Sequence, residues 1–194
     1  GLYQLAASGN NSTLGQQQNH PNMEHWLKQI DQNTADFQDR FGHLSPSALN
    51  WKPSPDIWSI AQNLDHLIVI NESYFPVFEQ LKTGSYQTPW YGKIRFIANG
   101  MGKMILGAVG PDRRKKTKTF PIWEPASSTI SDDILDQFVA HQQRLKEEFQ
   151  ACAKLLEQGQ VIFSPANASI VYPLETAFAI IVTHEHRHLA QAEE

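Results

Sequence analysis

The sequence predicts an all-α protein built as a four-helix bundle. Three observations carry this prediction. Four stretches repeat apolar residues at three- and four-residue spacing. No set of alternating strands accompanies them, and Val161-Ile162-Phe163 is too short alone. A length of 194 residues suits one domain whose core needs no staples.

Residues 1–22 are rich in Gln, Asn, Ser and Gly and hold no period. They read as a flexible leader or a remnant foreign to the fold, which places a single domain at 23–194. The first helix then carries Met23, Trp26, Leu27, Ile30, Thr34, Phe37 and Phe41 on one face, with Asn22 to cap it and Gly42 and Ser45-Pro46 to stop it. The second begins at Ser59, where Ser59-Ile60-Ala61-Gln62 has the form of a capping box. Its stripe is Ile60, Leu64, Ile68, Asn71 and Phe75, and Pro76 kinks or ends it. Residues 83–130 form a long irregular connection, weakly helical around Gly100 and Gly102. Ser131-Asp132-Asp133 opens the third helix, whose seam runs Ile134, Phe138, His141, Leu145, Phe149, Cys152 and Leu156 until Gly159. Pro173 suits the first turn of the fourth helix. The connections between helices two and three and between three and four are long, so neither forces an up-down-up-down order.

Composition removes several function classes. Hydrophobic residues are 41% and aromatic residues 10%, which excludes a wholly disordered chain. A net charge of −4 excludes charge-driven nucleic-acid binding. The cationic run 113–118 is then read as a solvated loop. The single Cys152 excludes a disulfide framework and reads as a small buried hydrophobe. No apolar run reaches membrane-spanning length and no secretory signal appears, so a cytoplasmic protein without a membrane partner is expected.

The informative residues lie in the fourth helix. Leu174, Ala177, Phe178 and Ile181 define its buried stripe, and that stripe continues into His184, Glu185 and His188, with His186 and Arg187 on the opposite, solvated side. Polar groups turned into an apolar core need partners, and a divalent metal serves two imidazoles at i, i+4. His184-Glu185-His186-Arg187-His188 also spells H-E-x-x-H, the zinc-protease pattern. Only Leu-Ala-Gln-Ala-Glu-Glu follows in this sequence, so a third ligand has to come from another helix and a protease is not the preferred reading. His66 and His141 are the candidates. Periodicity favours the seam residue His141 and puts His66 almost opposite its stripe, although Val69 and Ile70 make that face apolar. The pattern leaves the choice open.

Two segments carry a family resemblance. Leu49-Asn50-Trp51-Lys52-Pro53 followed by Trp58-Ser59-Ile60-Ala61-Gln62-Asn63-Leu64-Asp65-His66-Leu67 resembles the signature of the DinB-like superfamily, and His184-Glu185-His186-Arg187-His188-Leu189-Ala190-Gln191 is similar to its closing His-x-x-x-His element. The resemblance covers roughly 23–192. It implies a four-helix bundle of DinB-like topology and a divalent metal, nickel or zinc, held by His66, His184 and His188. It further implies a homodimer, a small-molecule substrate and chemistry on a thiol or water, either S-transfer with a low-molecular-weight thiol as cosubstrate or hydrolysis. Within that reading Glu185 is the candidate catalytic residue, for proton transfer or for orienting an imidazole, and Asp65 is a weaker candidate for the same work. A non-catalytic, metal-stabilised binding module is the competing class. Trp58 and Trp26 read as packing residues, whereas Trp90, Tyr91 and Trp123 are expected either to wall a substrate cavity or simply to pack.

Overall fold

The computed structural model describes residues 20–110, 119–125 and 129–194. Most of the leader assigned to 1–22, and the cationic run, lie outside the described residues. The chain is mostly helical: α1 (Met23–Phe41), α2 (Pro46–Leu49), α3 (Ile60–Ser73), α4 (Phe75–Thr83), α5 (Arg95–Val109), α6 (Ile134–Ala151), α7 (Ala153–Glu157) and α8 (Leu174–Ala192). Between α7 and α8 stand two short strands, β1 (Val161–Ser164) and β2 (Asn167–Pro173).

α1, α3, α6 and α8 pack around a core that is split in two. One apolar cluster gathers Trp26, Ile30, Phe78, Leu145, Phe149, Phe178 and Ile181; the other gathers Phe37, Phe41, Leu64, Leu67, Phe138 and Leu189. In the first, the rings of Phe149 and Phe178 stack 3.7 Å apart at 4°, and Trp26 meets Phe178 edge-on at 5.4 Å. Between the clusters lies a buried polar layer of Asn33, Asn71, His141, Gln142 and Glu185. The order of residues across this layer gives the helix directions. α1 and α8 pass from the first cluster to the second, and α3 and α6 pass back.

Several local expectations are corrected. Asn22 makes no side-chain cap; its amide donates instead to Glu175 at 2.7 Å. The α6 start is not capped by a side chain either, because the Ser131 hydroxyl donates to the Asp133 carboxylate rather than accepting from the backbone. The seam breaks at Cys152, where α6 gives way to α7. The break expected at Pro76 does occur: α3 ends at Ser73, and the proline sits in the first turn of α4, where its missing N–H has no partner to lose. Val161-Ile162-Phe163 is a strand after all. It pairs antiparallel with β2 in the register Ile162↔Tyr172 and Phe163↔Val171. Its partner was hard to see because Pro165 and Asn167 break the alternation. Ile162, Val171 and Tyr172 are buried, which stabilises the hairpin. Inside the long connection, α5 lies against β2 and α8.

The α5 contact depends on the absence of a side chain at Gly102. A Cβ there would stand 2.9 Å from Thr176 Cγ2 and 3.1 Å from Tyr172 Cβ, whereas one at Gly100 would meet nothing. Gly102→Leu is expected to cost about 1–3 kcal/mol by overpacking. Gly100→Ala should raise stability by about 0.5–1 kcal/mol, by removing backbone entropy from the unfolded chain. Thermal unfolding of the two variants checks the opposite signs.

Candidate metal centre

α3 and α8 carry the imidazoles. Both halves of the predicted capping box form at the start of α3: the Ser59 hydroxyl accepts from the Gln62 N–H at 3.0 Å, and the Ser59 N–H donates to Gln62 Oε1 at 3.1 Å. That fixes the first turn, and His66 follows within two turns. On α8, His184 and His188 project one turn apart toward α3. One ring nitrogen from each of His66, His184 and His188 lies within 4.8 Å of the others. The His184 and His188 Nε2 atoms are 3.0 Å apart.

Two of these rings are held from behind. His188 Nδ1 lies 2.7 Å from Asn63 Oδ1, and His66 Nδ1 bonds the carbonyl oxygen of Trp123. Both acceptors are oxygens, so the Nδ1 atoms carry the protons and each Nε2 presents a lone pair. His66 Nε2 is buried without a partner. Trp58 walls one side, stacked over His188 at 5.9 Å and 16° and tilted against His66 at 4.7 Å. The segment around Trp123 is tied down by its indole N–H, which donates to Ser73 Oγ at 3.1 Å. This segment covers the face of α3 that periodicity assigned to solvent, which is why His66 is buried.

The imidazoles are neutral. Burial pushes His66 down to about 4, against the opposing pull of the Trp123 carbonyl. Burial also holds His184 and His188 well below the usual histidine range, and the neighbouring imidazoles add to it. Three neutral imidazoles suit a divalent ion. Bonds of 2.0–2.1 Å set two ligand nitrogens roughly 3.0–3.5 Å apart, which the His184–His188 pair matches, and His66 offers a nitrogen within 4.8 Å of both. The orphaned His66 nitrogen gives an independent sign that the set lacks a central partner.

Glu185 is placed differently from the expectation. It is 0% exposed and faces the polar layer. Oε2 accepts from Asn33 Nδ2 at 3.1 Å and Gln142 Nε2 at 2.9 Å, and Oε1 accepts from Asn71 Nδ2 at 2.9 Å. It makes no hydrogen bond to an imidazole. Burial pushes its pKa up to about 7 despite these three donors. His141 is buried in the same layer, with Nε2 3.2 Å from Asn71 Nδ2, and stands outside the three-imidazole group. Asp65 is half-buried. Arg187, expected on a solvated face, donates to the Ala108 and Gly110 carbonyls at 2.8 and 3.2 Å and so closes the end of α5. Of the three loop aromatics only Trp123 reaches the imidazoles; Tyr91 donates to Ala168 O in the hairpin and Trp90 is exposed. Sequence reasoning missed Asn63, Asn33 and Gln142. Asn63 precedes His66 by three residues on one helix face, which was the readable signal.

Two outcomes follow. Asn63→Ala should lower metal affinity 10- to 100-fold while leaving the fold intact, because His188 loses its orienting acceptor; titration with zinc or nickel measures it. Metal-free protein should lose stability as pH falls from 6.5 toward 4. His66 and His141 are both held near 4 when folded, so over that window the unfolded chain takes up protons that the folded chain refuses. Each contributes about 3 kcal/mol. Glu185 works in the opposite sense between 4.5 and 7, but it is one group against four displaced imidazoles. Denaturant titration across that range checks the sign.

Comparison with curated proteins and with solved structures gives no match. A family model described as the DinB superfamily matches residues 29–192. That span takes in most of α1 and all of α3, α6 and α8, with Trp58, Asn63 and the three imidazoles. The chain belongs to the DinB superfamily.

Proposed function

We propose that this protein is a metal-dependent enzyme in which His66, His184 and His188 hold one divalent ion, nickel or zinc. The observation that carries the reading is the convergence of three neutral imidazoles, two of them held through Nδ1 and one with an orphaned Nε2. Held by these three imidazoles, such an ion would supply Lewis acidity that eases deprotonation of a water or a small thiol. The chain's own residues do the rest. Asn63 and the Trp123 carbonyl hold the protons on Nδ1 and aim the rings, and Trp58 keeps water from one side. S-transfer from a low-molecular-weight thiol and hydrolysis are the two reactions this supports. A four-helix bundle of DinB-like topology, a cytoplasmic setting and a homodimer complete the proposal.

Glu185 is proposed here as a positioning residue. Its three amide donors come from α1, α3 and α6, so its carboxylate fixes the rotation of α8 and with it His184 and His188. The expectation of proton transfer remains testable beside this.

The test is metal analysis of protein purified without nickel resin, beside turnover assays with small thiols and hydrolysable esters. About one ion per chain is expected. His188→Ala should release it, whereas Glu185→Gln should keep it with stability lowered by about 1–3 kcal/mol and the pH–rate profile unchanged in shape. Loss of one limb of that profile in Glu185→Gln restores the proton-transfer role. A protein that binds its ion and turns over no thiol or ester is the binding module instead.

A further inference from the structure

We propose that the outer face of α5 is a docking surface for an anionic phospholipid membrane. α5 packs on β2 and α8 through Ala98 and Gly102, and its opposite face carries Phe96, Gly100, Lys103, Met104 and Gly107. Phe96 is 78% exposed and Met104 61%. Trp90, in the turn that leads into the helix, is 75% exposed. Large apolar side chains left this bare on one element mark an interaction surface.

Charge identifies the occupant. The protein carries 20 acids against 16 cations, yet no acid occurs between Glu79 and Asp112. Lys93, Arg95 and Lys103 lie in that span, all three exposed, and none pairs with a described acid. The adjacent hairpin is uncharged from Gln158 to Leu174. The face is therefore cationic on an acidic protein. A second copy fits it poorly, since two α5 faces would set Lys93 and Lys103 against their counterparts; Arg95 stands at the edge of the face, lining a pocket with Glu175. A bilayer interface fits it well. Phe, Met and Trp side chains enter the headgroup boundary, Lys and Arg stems lie along it with their charges on lipid phosphates, and a convex helix needs no complementary groove. The absence of a spanning helix among the described residues is no obstacle, because the helix lies on the membrane rather than through it. The expectation of no membrane partner rests on the lack of a spanning segment, which does not bear on a helix lying along the interface.

The experiment is sedimentation of the 194-residue chain with extruded vesicles, either phosphatidylcholine alone or with about one-third phosphatidylserine, at ~0.1 M salt. Binding to the anionic vesicles is expected to be at least about tenfold stronger and to weaken as salt rises. A Lys93→Gln, Lys103→Gln variant should lose about 30-fold, the value that two cations at ~1 kcal/mol each give. Phe96→Ser with Met104→Ser should lose binding to both vesicles at unchanged thermal stability, since both side chains are exposed. Equal binding to both vesicle types, or variants that bind as the parent does, overturns the proposal. So does binding to duplex DNA without binding to vesicles, or a vesicle-independent dimer that the Phe96/Met104 variant dissolves.

Discussion

A carboxylate buried with no cation beside it is the constraint on which the rest of the structure depends. Glu185 sits at 0% exposure between two apolar clusters, and its oxygens are met by amides from α1, α3 and α6. Burying a charged or polar oxygen without donors costs several kcal/mol. Each of the other three helices therefore has to present one particular residue at one height and one rotation. An apolar core tolerates sliding and rotation among similar side chains, whereas three converging amides do not. Asn33, Asn71 and Gln142 set the register of the four helices, and the aromatic clusters on either side fill the space that the register leaves.

The imidazole group is a product of that register. His66 lies five residues before Asn71 on α3, and His184 and His188 flank Glu185 on α8. Once Glu185 bonds Asn71, the same two helices face each other with their histidines a little further along. The rings then need aiming, which Asn63 and the Trp123 carbonyl do through Nδ1. Burial does the final part by keeping the rings unprotonated at neutral pH. Helix register, ring orientation and protonation state are three separate requirements, and different residues meet each of them.

Much of this was legible in the sequence. The apolar periods of α1, α3, α6 and α8, the capping box at Ser59 and the inward turn of His184, Glu185 and His188 all follow from local spacing, because a helix buries one face. Asn71 was visible as a polar residue on an apolar stripe, although its partner was not. What stayed hidden depends on contacts distant in sequence. His66 looked exposed because one helix's period cannot show that residues 119–125 return across it. Glu185 looked as if it pointed with the histidines, yet an angular step of 100° was enough to send it to different helices. The hairpin was obscured by a register irregularity between Phe163 and Ser164 and by a partner strand broken with small and turn-forming residues.

The two acceptors that aim the imidazoles differ in how they are inherited. Asn63 contributes a side-chain oxygen, so one codon change removes it and His188 is released to turn. Trp123 contributes its main-chain oxygen, which every amino acid possesses. For His66, descent with modification must preserve the path of the chain rather than the identity of a residue. Apart from Trp123, whose indole ties the segment to Ser73, substitutions can accumulate along 119–125 without removing the oxygen that meets this ring, while an insertion or deletion there would displace it at once. The two ends of one centre thus face different kinds of genetic change.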